Sequence, residues 1–234
     1  MMSVGTYSER RSRLETYFDR TAMEAWAQLT SDAPVSRIRQ TVRQGRDRMR
    51  AVFMDWLPRD MGDLSLLDAG CGTGALAIAT ARRGADVLAV DVAGNLVNLA
   101  QERAPLDPSP GSIDFRVGDM LDPDFGRFDH VAAMDSLIHY PTKDIVAVIG
   151  AIAQRTRRSI IFTFAPRTSM LSLMWAVGRL FPRADRAPAI EPVVEARLRK
   201  AIAADPSLKD WTVGRTYRVA SGFYTSQAME LVRR

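Results

Sequence analysis

Leu66-Leu67-Asp68-Ala69-Gly70-Cys71-Gly72-Thr73-Gly74 is the stretch on which the fold turns, because it closes a short apolar run and opens a helical one. Residues 64–67 read as a strand and residues 74–83 as a helix, with the glycines crowded into the turn between them. Glycine at 70, 72 and 74 lets the backbone turn tightly and approach a ligand where any side chain would collide. Outward from this turn the same texture repeats. Strands are predicted over residues 86–90, 113–117, 128–134 and 159–164, and helices over 95–102 and 144–154. Such alternation demands parallel strands joined by right-handed crossovers, which makes a doubly wound α/β sheet. Two further alternating runs, residues 212–219 and 223–232, are too close together for a crossover and are expected to form an antiparallel hairpin at the sheet edge. The sheet should then be seven-stranded and mostly parallel.

Two segments stand outside this alternation. Residues 7–30 carry Leu14, Tyr17, Phe18, Met23, Trp26 and Leu29 at helical spacing. A second stripe, Val35, Ile38, Val42, Met49, Val52, Phe53 and Trp56, has Arg37, Arg39, Arg43, Arg46, Arg48 and Arg50 on its other face. That basic face reads as a solvated one, and it also suits an acidic partner or a membrane surface. After Pro166 comes a stretch rich in Met, Leu and Trp, including Met170, Met174 and Trp175, and then a helix over residues 191–204. The expected organisation is an N-terminal helical segment, 1–62, an α/β core, 63–166 with 205–234, and an inserted apolar segment, 167–204.

Composition narrows the class. With 234 residues, 47% hydrophobic and 25% charged, the chain is neither disordered, collagenous nor stapled by disulfides. A single Cys allows no internal disulfide and no multi-thiolate metal site, and it suits a reducing cytoplasm. The first residues, MMSVGTYSERRSRLETYF, lack the apolar core of a signal peptide, and no uncharged run of about 18 residues could span a bilayer. The net charge of +5 comes almost entirely from Arg, scattered and not interleaved with stacking aromatics, so no nucleic-acid partner is expected.

Three acids sit where ligands bind in such sheets, at the carboxyl ends of successive strands. Asp68 precedes the glycines, where it would repel a pyrophosphate but attract the cationic methionine end of S-adenosylmethionine. Asp91, followed by Val92, can accept from both hydroxyls of a ribose. Asp119 can accept from an adenine amino group, and Met120 offers its ring an apolar edge. Gly70, Gly72 and Ala75 also satisfy a looser dinucleotide pattern, which leaves a dinucleotide-dependent oxidoreductase as the rival from another class. The whole constellation, with Ala69, Cys71 and, after the fourth strand, Asp135 and Ser136, resembles the class I S-adenosylmethionine-dependent methyltransferases. Their fold is Rossmann-like, and the resemblance implies S-adenosylmethionine as cofactor and S-adenosylhomocysteine as product.

A narrower resemblance spans nearly the whole chain. Residues 17–26 (YFDRTAMEAW), 34–39 (PVSRIR), 135–141 (DSLIHYP) and 162–166 (FTFAP) are similar to the magnesium protoporphyrin IX methyltransferase family of chlorophyll and bacteriochlorophyll biosynthesis. Membership would imply methyl transfer to one propionate of a magnesium porphyrin, with magnesium present only in the substrate. It would also imply delivery by the large porphyrin-binding subunit of magnesium chelatase, and contact at a membrane periphery. A porphyrin is a broad apolar disc with two carboxylates, so it needs aromatic and flexible apolar walls with Arg at the rim. Phe18, Trp26, Tyr140, Met170, Met174 and Trp175 are the expected walls, and Arg37 and Arg39 are candidates for the rim, beside Arg20 and Arg167. His139 is the expected catalytic residue, as orienting group, base or magnesium ligand, and Tyr17 is expected to close over the site with its hydroxyl. His130 reads as structural. Two alternatives stay open: an O-methyltransferase for another small acid, quinone or phenol, and a protein that binds S-adenosylmethionine or porphyrin without turnover.

Overall fold

The computed structural model describes residues 4–17, 36–104, 110–167 and 190–234. Its elements run α1 (Val4–Thr16), α2 (Arg37–Trp56), β1 (Ser65–Ala69), α3 (Ala75–Ala81), β2 (Asp86–Asp91), α4 (Gly94–Arg103) and β3 (Ser112–Val117). They continue through β4 (Phe128–Ala133), α5 (Thr142–Ala153), β5 (Thr156–Phe164), α6 (Glu195–Ala204), β6 (Trp211–Ser221) and β7 (Tyr224–Arg233). The strands form one seven-stranded sheet in the order β3-β2-β1-β4-β5-β7-β6. β1 to β5 pair in parallel, and β7 pairs antiparallel with both β5 and β6. The expected hairpin therefore occupies the edge, folded back so that β7 lies inside β6.

The chain winds from β1 outward to β2 and β3, then returns to place β4 on the other side of β1. This reversal opens a crevice above the carboxyl ends of β1 and β4, where ligands bind in open α/β sheets. Both faces of the sheet are covered. On one, Met49 and Phe53 of α2 and Leu76 and Ala77 of α3 pack on Leu66, Val87, Ala132 and Ile161. On the other, Ile145 and Ile149 of α5 and Leu198 and Ile202 of α6 pack on Leu67, Val131, Ile160 and Phe162. The inner parallel strands β1, β2 and β4 are buried on both sides and read as continuous apolar runs, whereas the edge strand β3 is largely exposed.

Ser36 caps α2, its hydroxyl accepting from the Arg39 amide at 3.4 Å. The helix then passes close over the hairpin at Gly45, where an added Cβ would lie 2.4 Å from the Tyr224 ring. Helix boundaries differ from expectation at two places. The helix expected over 191–204 begins only at Glu195, because the residue before Pro192 is held out of helical conformation and Val193 bridges Pro166 in parallel instead. The helical stripe over 7–30 is described only as far as Tyr17, and the Met- and Trp-rich stretch lies outside the described residues. Among the described residues no helix is long and apolar enough to cross a membrane.

Candidate active site

A cleft of about 780 Å³, including its open mouth, sits in the crevice above β1 and β4. One wall is made of backbone. Gly70, Gly72 and Gly74 have φ of +85°, +54° and +78°, values that side-chain-bearing residues rarely adopt. The Gly70 and Cys71 amides both donate to the Val90 carbonyl, at 2.8 and 3.0 Å, which ties the turn to β2. The Asp91 carboxylate accepts from the Gly72 amide at 2.9 Å and from the Ala93 amide at 3.0 Å. It is thereby fixed at the lip of the cleft, beside Val92 and Met120.

Asp68 and Ala69 lie beneath this turn and do not line the cleft. Asp68 is 1% exposed, and its Oδ2 has no hydrogen-bond partner. Burial, and then repulsion from Asp91, pushes its carboxyl up to about 7, against a backbone hydrogen bond from Ala77 and the attraction of Arg46. Burial likewise raises the Cys71 thiol well above its ordinary value, so Cys71 serves as a small loop residue rather than a nucleophile. Gly74 starts α3 beneath Ala100 and Phe115, whose side chains would meet an added Cβ at 3.0 Å.

The opposite wall is made of side chains. After β4 the chain takes a left-handed step at Asp135, φ +58°. A cage of donors holds its carboxylate there. The Tyr224 hydroxyl donates to both oxygens at 3.0 and 3.1 Å, the Ser226 hydroxyl to Oδ1 at 3.1 Å, and Arg46 Nη1 to Oδ2 at 3.2 Å. The Asp135 amide donates to Thr163 Oγ1 at 2.7 Å. Ser136 then packs against Gly70, where an added Cβ would come within 2.5 Å of its Cβ, and its buried Oγ lacks a partner. A single 3-10 turn, Leu137–His139, turns His139 and Tyr140 into the cleft.

α1 forms the roof. Tyr7, Arg10, Arg11 and Leu14 share one helical face, at i, i+3, i+4 and i+7. The Tyr7 hydroxyl donates to Asp119 Oδ1 at 2.7 Å, and its ring stacks on Tyr140 with centroids 5.5 Å apart. Arg11 Nη1 donates to Asp119 Oδ2 at 2.7 Å. Burial and the Asp119 carboxylate together push the Tyr7 phenol far up, so it stays protonated and donates to Asp119.

The structure brings together Gly70, Gly72, Asp91, Val92, Met120, Asp135, Ser136, His139 and Tyr140 around one cleft. Several expectations are revised. Asp119, expected to accept from an adenine amino group, is engaged by Tyr7, Arg11 and the Leu121 amide. Tyr17 follows the last residue of α1 and is not in the cleft lining, and the phenol that reaches the site from this helix is that of Tyr7. Arg46, on the basic face expected to be solvated, points inward to Asp135, because the glycine before it lets α2 press onto Tyr224. Arg37 and Arg39 are exposed at the start of α2 and do not line the cleft. Phe18, Trp26, Met170, Met174 and Trp175 lie outside the described residues. The mixed face of α1, Tyr-x-x-Arg-Arg-x-x-Leu, is easily missed in the sequence because two arginines make a partly buried, fully engaged face look solvated. Its i, i+3, i+4, i+7 spacing is the signal that could have found it.

The residues present fit S-adenosylmethionine. The turn at Gly72 is open where a Cβ would sit, Asp91 is preset for hydroxyls, the unpartnered Ser136 Oγ lies against Gly70, and Asp68, buried beneath the turn with an unpartnered Oδ2, supplies a negative charge suited to a cationic amino-acid tail. The residue pattern also matches two family models: a general methyltransferase domain over residues 66–159, and the C-terminus of magnesium-protoporphyrin IX methyltransferase over residues 133–233. The magnesium-protoporphyrin O-methyltransferase of Rhodobacter capsulatus is 48% identical over 96% of this chain and 97% of its own. The crystal structure of the Synechocystis magnesium protoporphyrin IX methyltransferase with bound SAH superposes with a TM-score of 0.83 at 30% identity, covering 95% of this chain and 99% of that one. A ubiquinone biosynthesis O-methyltransferase of Methylocella silvestris, by contrast, is 36% identical over only 52% of this chain. Similarity that runs through the α/β core, the roof and the hairpin alike places the chain in one group: it belongs to the magnesium-protoporphyrin O-methyltransferase family.

Proposed function

We propose that the protein transfers a methyl group from S-adenosylmethionine to one propionate carboxylate of magnesium protoporphyrin IX, giving the monomethyl ester. The observation that carries this reading is that one cleft joins a glycine-lined backbone wall ending at Asp91 to side chains bearing an imidazole, two phenols and two guanidiniums. When bound, S-adenosylmethionine would supply an electrophilic methyl on a sulfonium: a carboxylate oxygen attacks the methyl carbon in line, the C–S bond breaks, and S-adenosylhomocysteine leaves as a neutral thioether. Asp91 would take the ribose hydroxyls, Met120 and Val92 would border the adenine, and Ser136, with the charge of Asp68 beneath the turn, would receive the cationic tail.

A propionate resembles Glu, with an unperturbed pKa of about 4.3, so it is ionised at neutral pH and strictly needs no general base. The protein's work is to strip water from it and align it. His139 touches the reacting carboxylate and orients it, or takes its proton if burial has returned one. Arg46 and Asp135 form a neutral pair on this wall, so the part of Arg46 is to hold the chain around Asp135 in place beside the carboxylate. The substrate segments are 1–62 and 167–204. The exposed cations at the start of α2, Arg37 and Arg39, together with Arg48, form the docking face for the large porphyrin-binding subunit of magnesium chelatase, and charge reversal there should weaken that complex or binding to anionic vesicles.

Incubation with magnesium protoporphyrin IX and labelled S-adenosylmethionine tests the reaction: a gain of about 14 Da on the porphyrin is expected. Porphyrin binding without that gain would leave a carrier. His139→Ala and His139→Gln should lower turnover at saturating cofactor, and unchanged turnover would remove His139 from the mechanism.

A further inference from the structure

Arg10 does not line the cleft, yet it closes a ring of contacts around the turn that carries His139. Its Nη1 donates both to the His139 carbonyl and to Glu191 Oε1, each at 3.0 Å. The Glu191 amide in turn donates to the Ile138 carbonyl at 2.9 Å. The Leu137–His139 turn is thus held from two sides, by the roof helix and by the strand-like residues that lead into α6. A 3-10 turn of three residues has few internal hydrogen bonds, so its carbonyls depend on outside donors for a fixed orientation. The same face of α1 anchors at Asp119 through Tyr7 and Arg11, and Tyr7 stacks on Tyr140, the residue after His139.

We propose that Arg10 is a positioning residue for methyl transfer: through the His139 carbonyl and Glu191 it sets where the His139 imidazole stands, while Tyr7 and Arg11 tie that placement to the cofactor side of the cleft. This rests on the reading of His139 as the group that touches the substrate carboxylate. The Arg10–Glu191 pair is about one-third exposed on each side, so its worth lies in geometry rather than in stability. A single nitrogen bridges both acceptors. A Lys ammonium can therefore replace it in part, whereas a Met side chain cannot.

The experiment compares Arg10→Met, Arg10→Lys and His139→Ala with the unaltered full chain, measuring kcat, KM for the porphyrin, SAH affinity and thermal midpoint. Arg10→Met should lower kcat about tenfold with SAH affinity changed less than about twofold, and Arg10→Lys should recover most of the loss. In a double-mutant cycle, Arg10→Met and Tyr7→Phe should be non-additive in kcat, since both act through one turn. Unchanged kcat in Arg10→Met, beside an impaired His139→Ala, would overturn the role of Arg10 alone. Loss of kcat, SAH affinity and thermal midpoint together, without rescue by Lys, would also overturn it, by showing a merely structural contact. Unchanged turnover in His139→Ala would instead remove the reading of His139, and the proposal with it.

Discussion

The two walls of the cleft meet where Ser136 packs on Gly70, yet they are built on different principles. The cofactor wall is backbone held by near neighbours, and its defining contact, Gly72 to Asp91, joins residues 19 positions apart. The facing wall is side chains recruited from afar. Arg46 and Tyr224 each reach Asp135 across 89 positions, Tyr7 reaches Asp119 across 112, and Arg10 reaches the His139 carbonyl across 129. A backbone wall is robust to exchange of neighbouring side chains but intolerant of an added Cβ. A side-chain wall depends on every distant element that supplies a donor. Binding of the cofactor and placement of the reacting carboxylate should therefore be separable by mutation.

The sharpest break of the backbone wall is Gly70→Ala. It combines a positive φ, at about 1–2 kcal/mol, with a Cβ overlap against Ser136 at about 1–3 kcal/mol, so SAH affinity measured by calorimetry should fall roughly 100-fold. Asp68→Asn should weaken S-adenosylmethionine binding by about 10–100-fold, because a buried negative charge beneath the site of the cationic tail is lost. The same change should stabilise the fold at high pH. The folded carboxyl, at about 7, lies above the ordinary value near 3.9, so the native state holds the extra proton between those values. This group is then neutral for stability below about pH 4 and destabilising as pH rises to about 7. Urea unfolding of Asp68→Asn should show a gain of about 1–3 kcal/mol at pH 8 and none at pH 4. If the gain appears at both, the carboxyl is not the proton-binding group.

On the side-chain wall, Tyr224→Phe removes the donor that spans both Asp135 oxygens. It should cost about 1–3 kcal/mol in urea unfolding and lower turnover more than SAH affinity. An equal loss in both would mean the walls are not separable. The smallest effect is expected outside the cleft, where Arg37→Glu with Arg39→Glu should shift stability by no more than about 0.5 kcal/mol and leave turnover with free porphyrin unchanged.

Much of the first wall is legible in the amino-acid order. The glycines, Asp91 and Met120 follow from strand-turn-helix periodicity, since a parallel sheet puts each strand's end beside its neighbour's. Asp119 shows where that logic stops: its place at the end of β3 is readable, but the donors that occupy it come from α1. Arg46 shows the same limit from the other direction. On a helical wheel it belongs to a basic face, and only the contact of Gly45 with Tyr224 turns it into the site.

By itself, then, the sequence determined the doubly wound sheet, the cofactor turn and the presence of His139 after the fourth strand, because hydrophobic period and glycine placement are local properties that the backbone must obey. Only the tertiary structure decided which phenol, which arginines and which hairpin residues complete the site. Those contacts depend on how helices pack over the sheet, and a surface arginine and a buried one are the same letter until that packing is known.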